Sequence, residues 1–239
     1  MADDQFAADL LAAGSEALIE AAYRTADYAG ARAALAAARD AAVRDGNRAA
    51  EAAALDRLGW LMHFEALDRG VDATFAEDEE ALFQRALEIR REIGDLGGSA
   101  GSLFGVGLVH QVLRGDWDTA MPYFWDALAL GDHADLLSRS EIHRHVGFYY
   151  LVRDVQLEKA IEYLQTSLYL REAHGDPRWT YSGLLALGEA EVEAGRRAEG
   201  LAHLRDAVRM AREAGIRADR VSRAEQALQQ AEAGVTPSS

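Results

Sequence analysis

The chain has 239 residues and 49% of them are hydrophobic, so it is long enough and apolar enough to bury a core. Its 40 Asp and Glu outnumber its 25 Lys and Arg, and the net charge of −15 repels phosphate backbones, which disfavours a nucleic-acid partner. The absence of cysteine excludes disulfides, thiolate nucleophiles and cysteine-based metal sites.

Composition also favours helices, because alanine dominates the apolar residues and there are only 3 prolines. The acidic start, MADDQFAADLLAAG, differs from the basic start of a signal peptide. No uninterrupted apolar run approaches the roughly 20 residues that span a bilayer. We therefore expect a cytoplasmic protein with no membrane partner.

Helical periodicity and turn residues predict eleven helices in chain order. Clear breaks fall at Gly46-Asn47, Gly97-Gly98-Ser99, Gly175-Asp176-Pro177 and Gly195. The predicted helices cover residues 5–23, 28–45, 47–69, 77–93, 98–114, 117–131, 136–153, 157–174, 178–194, 197–214 and 217–232.

Helix starts carry their own sequence features. Ser138 and Asp176 are residue types that accept hydrogen bonds from free amides at a helix start, so we expect both to be N-caps. Pro122 lacks an amide donor and is tolerated best in a first turn. Its helix is therefore expected to begin near Asp118 rather than at Trp117.

The stretch RGDWDTAMPYFWDAL contains a spacing of small and large residues that recurs along the chain. Upstream of each copy lies a second helical segment with a glycine before an apolar run, at Gly59, Gly107, Gly147 and Gly188. A helix-turn-helix unit with a fixed period of about forty residues indicates a solenoid. The recurring positions are Ala120, Phe124, Ala127 and Leu128; Ala160, Leu164, Ser167 and Leu168; and Gly200, Leu204, Ala207 and Val208.

Over about residues 8–215 the chain resembles the tetratricopeptide repeat (TPR) family. Gly115-Asp116-Trp117 matches the family's inter-helix turn, and the period is similar to that of the long-helix TPR variety, since the usual repeat has about 34 residues. The resemblance implies an all-α, TPR-like α-solenoid of about five helix-turn-helix repeats plus a C-terminal capping helix. The copy that matches best consists of Leu184, Leu187, Gly188, Gly195, Gly200, Leu204 and Ala207.

This pattern predicts a single superhelical domain over residues 1–233. The last helix places Val221 and Ala224 on one face, as expected of the cap that a solenoid requires. Residues 234–239, GVTPSS, are expected to form a disordered tail. Phe75, in the long turn GVDATFA, is expected either to pack onto the core or to contact only its loop.

In TPR arrays the first helix of each pair lines a concave face, so the resemblance places a binding wall on these helices. An apolar, aromatic wall suits a protein or peptide segment, or a small organic ligand. Alternatively, each aromatic side chain packs against a neighbouring helix. The predicted wall contains one cation, Arg144, and no Asn or Lys, so capture of a C-terminal carboxylate is disfavoured. The expected wall residues are Trp60, His63, Phe64, Phe104, Leu108, Gln111, Arg144, Phe148 and Glu189.

Two aromatic residues depart from the repeat. Trp125 and Tyr169 stand where the other copies have Ala, Gln or Arg. Exposed aromatic residues on second helices suggest a homodimer contact. The alternative for Trp125 is that it covers the preceding loop.

Three hypotheses about function follow. The chain is a protein- or peptide-binding module, a sensor with a small molecule or signalling peptide in an aromatic groove, or an enzyme that uses His63 or His143 with His145. Glu141 and His145 share a helix face but supply only two metal ligands, so a surface ion pair is expected. Phosphate-binding loops, nucleophile elbows and zinc motifs are absent from the sequence, so we expect no cofactor and no metal.

Overall fold

The computed structural model describes residues 2–234, with side chains from residue 6 onward. This part of the chain contains eleven α-helices and no strand, and π turns at Ala21–Thr25 and Val109–Leu113 continue the first and fifth helices. Residues 235–239 of the predicted tail lie outside the described residues. The helices are α1 (Ala2–Glu20), α2 (Tyr28–Arg44), α3 (Arg48–Asp68), α4 (Ala76–Ile93), α5 (Leu96–Leu108), α6 (Trp117–Ala129), α7 (Leu136–Val152), α8 (Leu157–His174), α9 (Pro177–Glu193), α10 (Arg197–Glu213) and α11 (Ala218–Ala233).

The start of α6 differs from the prediction. α6 begins at Trp117, because the carboxylate of Asp116 accepts a hydrogen bond from the backbone N–H of Thr119 at 3.0 Å. The predicted start at Asp118 is therefore wrong. Pro122 lies in the second turn, on the exposed side of the helix.

The two predicted N-caps have different outcomes. Asp176 caps α9, and its carboxylate accepts from the backbone N–H of Arg178 at 2.9 Å, as predicted. The N-cap of α7 is Asp135, and Ser138 is the residue that donates its backbone N–H to it at 2.9 Å. The prediction for Ser138 is wrong because the acidic residue three positions earlier already occupies the capping position.

The chain divides into two compact units, which meet in sequence between Ala134 and Asp135. In unit 1, α1 packs on α2, α3 on α4 and α5 on α6, while the first helices also contact each other, α1 with α3 and α3 with α5. In unit 2, α7 packs on α8 and α9 on α10, and α9 contacts both α7 and α11. This pairing is an all-α helical repeat fold, as predicted. A single superhelical domain over residues 1–233 stays a prediction.

Glycines of the first helices mark the closest approach within a pair. A Cβ atom added at these positions would fall inside the van der Waals radius of a side chain on the second helix. The contacted residues are the large members of the forty-residue pattern, so the sequence repeat is a repeat of helix–helix contacts. The distances from the added Cβ are 2.6 Å for Gly107 and the Phe124 ring, 2.9 Å for Gly147 and Leu164, and 2.9 Å for Gly188 and Leu204.

Unit 1 has a core rich in aromatic side chains. Phe83 is fully buried in it, and Phe75 packs against the same cluster, which favours the core-packing interpretation of Phe75.

One stretch, residues 96–113, is apolar and long enough to cross a membrane by length and composition alone. The count of uninterrupted apolar residues missed this possibility. Because 61% of this stretch is buried inside the protein, we interpret it as a core helix.

Candidate functional site

Trp60 is the centre of an aromatic cluster in unit 1. Its ring stacks on Phe64, with centroids 5.6 Å apart, and on Phe104 at 5.9 Å, while His63 meets it edge-on at 5.9 Å. These three residues that contact Trp60 are buried and belong to the core, so a binding role for them stays a prediction. Of the wall residues predicted in this unit, the buried ones are His63, Phe64, Phe104 and Leu108, and the half-buried ones are Trp60 and Gln111.

His63 has a partner that the sequence did not reveal. Its Nδ1 lies 2.9 Å from Oε1 of Glu79, and both side chains are buried, Glu79 completely. Oε2 of Glu79 is buried and has no hydrogen-bond partner among the described residues. Glu79 lies on the apolar face of α4, four residues before Phe83. A carboxylate at a core position of an amphipathic helix indicates that Glu79 requires a buried partner, although it does not identify His63 as that partner.

A second buried charge pair links three helices of unit 1. Arg90 of α4 lies 2.6 Å from a carboxylate oxygen of Asp56 in α3, and the hydroxyl of Ser102 in α5 donates to the other oxygen at 2.9 Å. Burial raises the pKa of Asp56 to about 6, although the charge of Arg90 and the hydrogen bond from Ser102 act in the opposite direction. The desolvation of the carboxylate therefore outweighs its pairing.

Unit 2 contains an equivalent network around Arg171, whose exposed fraction is 0%. Its guanidinium pairs with Glu141 of α7 and donates from Nη1 to the carbonyl oxygen of Trp179 at 2.9 Å and to the hydroxyl of Ser182 at 2.5 Å. His145 also lies 3.8 Å from Glu141. The surface ion pair predicted for Glu141 and His145 is wrong, because both side chains are buried.

Arg90 and Arg171 occupy equivalent positions in the repeat. Each lies four residues before a glycine, Gly94 or Gly175, that ends the second helix of a pair. Each also contacts a carboxylate on the preceding first helix and a group at the start of the following one. For Arg90 this group is the carboxylate of the N-cap residue Asp95, at 3.9 Å, and for Arg171 it is the carbonyl oxygen of Trp179. These arginines therefore hold successive helix pairs together within their own unit.

The three wall residues predicted in unit 2 share one region of the structure. Arg144 of α7 places its guanidinium over the ring of Phe148, 4.7 Å from the centroid. Burial raises the pKa of Glu189 on α9, while the charges of Arg223 and Arg144 lower it. All three predicted residues are half-buried, so they remain partly accessible to a partner.

Two arginines of the capping helix α11 join this region, and the sequence analysis missed them. Burial raises the pKa of Tyr181 on α9, while the charge of Arg220, a hydrogen bond from Arg220 and the charges of Arg144 and Arg223 lower it. Three cations from α7 and α11 thus act on α9. We call this region, formed by Arg144, Arg220 and Arg223 with Tyr181 and Glu189, the arginine wall. The missed feature was the spacing of Arg220 and Arg223, which puts both on one helix face.

The histidines proposed for catalysis do not form one group. His145 is buried and its ring meets Phe148 edge-on at 5.5 Å, whereas the half-buried His143 lies 5.6 Å from the ring of Tyr163 on α8. Among the side chains that the structure describes, no group of three or more His, Cys, Asp or Glu could hold a metal ion.

The two residues proposed for a dimer contact are both exposed. Trp125 has an exposed fraction of 37% and Tyr169 of 68%. They lie in different units, Trp125 on α6 and Tyr169 on α8. A role in a homodimer stays a prediction for both.

Comparison with known proteins gives a likeness of fold. No family model matches the chain, and no curated protein matches its sequence. Among solved structures it is similar to BtubC (BKLC) from P. vanneervenii, with 15% sequence identity and a TM-score of 0.51 over 100% of this chain and 95% of that one. At this identity the likeness shows the fold alone.

Proposed function

We propose that the chain is a TPR-like binding module that holds an acidic segment of a protein or peptide partner against the arginine wall. The proposal rests on one observation: the charges of Arg144, Arg220 and Arg223 all act on Tyr181 of α9, and those of Arg144 and Arg223 also act on Glu189. Guanidinium groups bind carboxylates through paired, charge-assisted hydrogen bonds. A carboxylate-bearing segment therefore matches the wall in both charge and hydrogen-bonding geometry.

The charge balance of the wall supports this choice of partner. Burial raises the pKa of Glu189, and the charges of Arg223 and Arg144 act in the opposite direction, so this acid of the wall is itself flanked by two cations. Glu141, which lies 3.8 Å from Arg144, is also paired with the buried Arg171. The wall is therefore a local cationic region in a chain with a net charge of −15. The expectation that carboxylate capture is disfavoured counted Arg144 alone and omitted the two arginines of α11.

The aromatic face of Phe148 gives the wall a second means of recognition. Its ring lies under the guanidinium of Arg144 and packs against the core cluster of unit 2. An apolar side chain of the partner can therefore pack beside the cations, as in other peptide grooves that combine pockets with polar contacts.

A peptide selection tests the proposal without knowledge of the natural partner. A random peptide library is selected on the full-length chain, and the dissociation constants of the selected peptides are measured by fluorescence polarisation. We expect enrichment of Asp and Glu, and weaker binding by about tenfold, or about 1.4 kcal/mol, in Arg144→Gln and in Arg223→Gln.

Arg209→Gln is the matched control, because Arg209 is an exposed arginine of the same unit that pairs with Asp206 on α10. Its dissociation constants should equal those of the wild type. Selected peptides without acidic enrichment, or equal losses of affinity in all three variants, would contradict the proposal.

A further inference from the structure

A polar pocket lies between α7 and α8 of unit 2. Its volume is about 360 Å³, which is within the range of pockets that hold small molecules. Its two α7 residues, His143 and Tyr150, are seven positions apart and therefore on one helix face. Arg144 of the arginine wall and the neighbouring Phe148 lie on another face of α7. The pocket is lined by His143, Tyr150, Lys159, Glu162, Tyr163 and Thr166.

A continuous stack of side chains forms one side of this pocket. The ammonium of Lys159, the only lysine of the chain, lies 4.9 Å from the ring centroid of Tyr150. Tyr150 stacks on Tyr163 with centroids 5.7 Å apart, and Tyr163 contacts His143 at 5.6 Å. These four side chains contact one another in the absence of a ligand, which favours a pocket whose side is already ordered.

Three polar groups of the pocket lack an ion-pair or hydrogen-bond partner within the described residues. The ammonium of Lys159 and the carboxylate of Glu162 are in no ion pair, although they are three residues apart on α8, a spacing at which such pairs commonly form. Nδ1 of His143 is buried without a hydrogen-bond partner. The charges and hydrogen-bonding groups here are thus available to a ligand, whereas most arginines of unit 2 are paired within the protein.

The protonation states of the His143 and Tyr163 rings suit a ligand with an uncharged side chain. Burial and the charge of Arg139 lower the pKa of His143, which favours its neutral imidazole. Burial, with Tyr150 and Glu162, raises the pKa of Tyr163, so its phenol stays protonated and can donate a hydrogen bond. Among the residues that line the pocket, the fixed charges are therefore one cation, Lys159, and one anion, Glu162.

We propose that this pocket binds a small zwitterion, an α-amino acid with an aromatic side chain. Side chains three positions apart on a helix have Cβ atoms about 5–6 Å apart, so Lys159 and Glu162 can reach a carboxylate and an ammonium that share one carbon atom. The aromatic side chain then lies along the edges of Tyr163 and His143, an arrangement that aromatic rings favour. A ligand with only one of the two charges would leave Lys159 or Glu162 without a counter-ion.

This proposal does not depend on binding at the arginine wall. The zwitterion pocket uses none of the residues of that wall, so either site can fail without affecting the other. Variants of the wall, such as Arg223→Gln, should leave amino-acid binding unchanged. Variants of the pocket should leave the binding of selected acidic peptides unchanged.

The test titrates the full-length chain with L-phenylalanine, L-tyrosine and L-tryptophan and follows binding by ligand-observed NMR. We expect saturable binding of at least one of them. N-acetylation, which removes the ammonium, or amidation, which removes the carboxylate charge, should each weaken binding of that ligand at least tenfold. Lys159→Gln and Glu162→Gln should do the same.

Glu172→Gln is the matched control, because Glu172 is an exposed carboxylate of α8 outside the pocket. As Lys159 is the only lysine, the rate at which an amine-reactive reagent acylates it, measured by peptide mass spectrometry, gives a second readout. The bound amino acid should slow this acylation. The proposal is overturned if none of the three amino acids binds, if the N-acetylated or amidated form binds equally well, or if Lys159→Gln retains wild-type affinity.

Discussion

At the scale of single residues, burial competes with pairing at Asp56. The carboxylate contacts Arg90 and Ser102, yet its pKa rises to about 6 from an ordinary value of 3.8, because burial removes water from the charged form. Between pH 4 and 6 the folded chain therefore holds a proton that the unfolded chain has lost. Stability from this group is fully present at low pH and is lost as pH rises through about 6.

The pH dependence of stability tests this account of Asp56. The difference between 3.8 and about 6 corresponds to about 3 kcal/mol of unfolding free energy, lost between about pH 4 and pH 6. Asp56→Asn removes the titrating group. The difference in unfolding free energy between this variant and the wild type should therefore change between about pH 4 and pH 6. Urea unfolding at a series of pH values measures both. Parallel curves for the two proteins would contradict the prediction.

The buried ion pair of Arg171 leads to a second prediction. Arg171→Met leaves Glu141 buried with only the more distant Arg144 and His145, both at 3.8 Å. Removing one partner of a buried pair costs about 3–5 kcal/mol. Urea unfolding at pH 7 should show a loss of this size.

Arg212→Met is the control for this variant, because it removes an exposed pair with Glu225, and such pairs contribute at most about 1 kcal/mol. A loss for Arg171→Met no larger than the loss for Arg212→Met would mean that Arg171 does not hold the helix pairs together.

The sequence predicted positions on helix faces better than it predicted partners. It placed Arg144, Phe148 and Glu189 in one region, because residues on the first helices of a repeat fall on a common side. It could not reveal that Glu79 meets His63, since that contact depends on how α3 and α4 pack and the two residues are not close in sequence. Arg223 was missed because α11 was treated only as a cap.

At the scale of helices, the repeat pattern predicted most of the fold. Turn glycines and small residues predicted all eleven helices, because close helix pairs require small side chains at fixed intervals. The errors fall at helix starts. The start of α6 and the capping residue of α7 were decided by which side chain reaches the free amides, and propensity alone does not give that geometry.

Two glycines in helices should respond in opposite directions to substitution by alanine. A Cβ at Gly188 would lie 2.9 Å from Leu204 and 3.0 Å from the carbonyl oxygen of Gly200, so Gly188→Ala should cost about 1–3 kcal/mol. At Gly30 of α2 no atom lies within 4 Å, so Gly30→Ala should stabilise the helix by up to about 1 kcal/mol. Thermal and urea unfolding measure both. A neutral Gly188→Ala would contradict the close helix approach.

At the scale of the whole molecule, net charge and local charge act in opposite directions on an acidic partner. The chain as a whole carries −15, whereas the arginine wall presents three cations. Salt screens charges beyond about 8 Å at physiological ionic strength, so contacts at the wall outweigh repulsion by distant acids. The net charge of the sequence is therefore compatible with a short acidic segment that reaches the wall.

The measurement that tests the central claim most directly is a double-mutant cycle between the arginine wall and an acidic peptide. Dissociation constants are measured for wild type and Arg223→Gln, each with a selected peptide and with the same peptide carrying Asn or Gln in place of its most important acid. A direct contact predicts a coupling energy of at least about 1 kcal/mol. Additive losses, with no coupling for Arg223 or for Arg144, would contradict binding of the acidic segment at this wall.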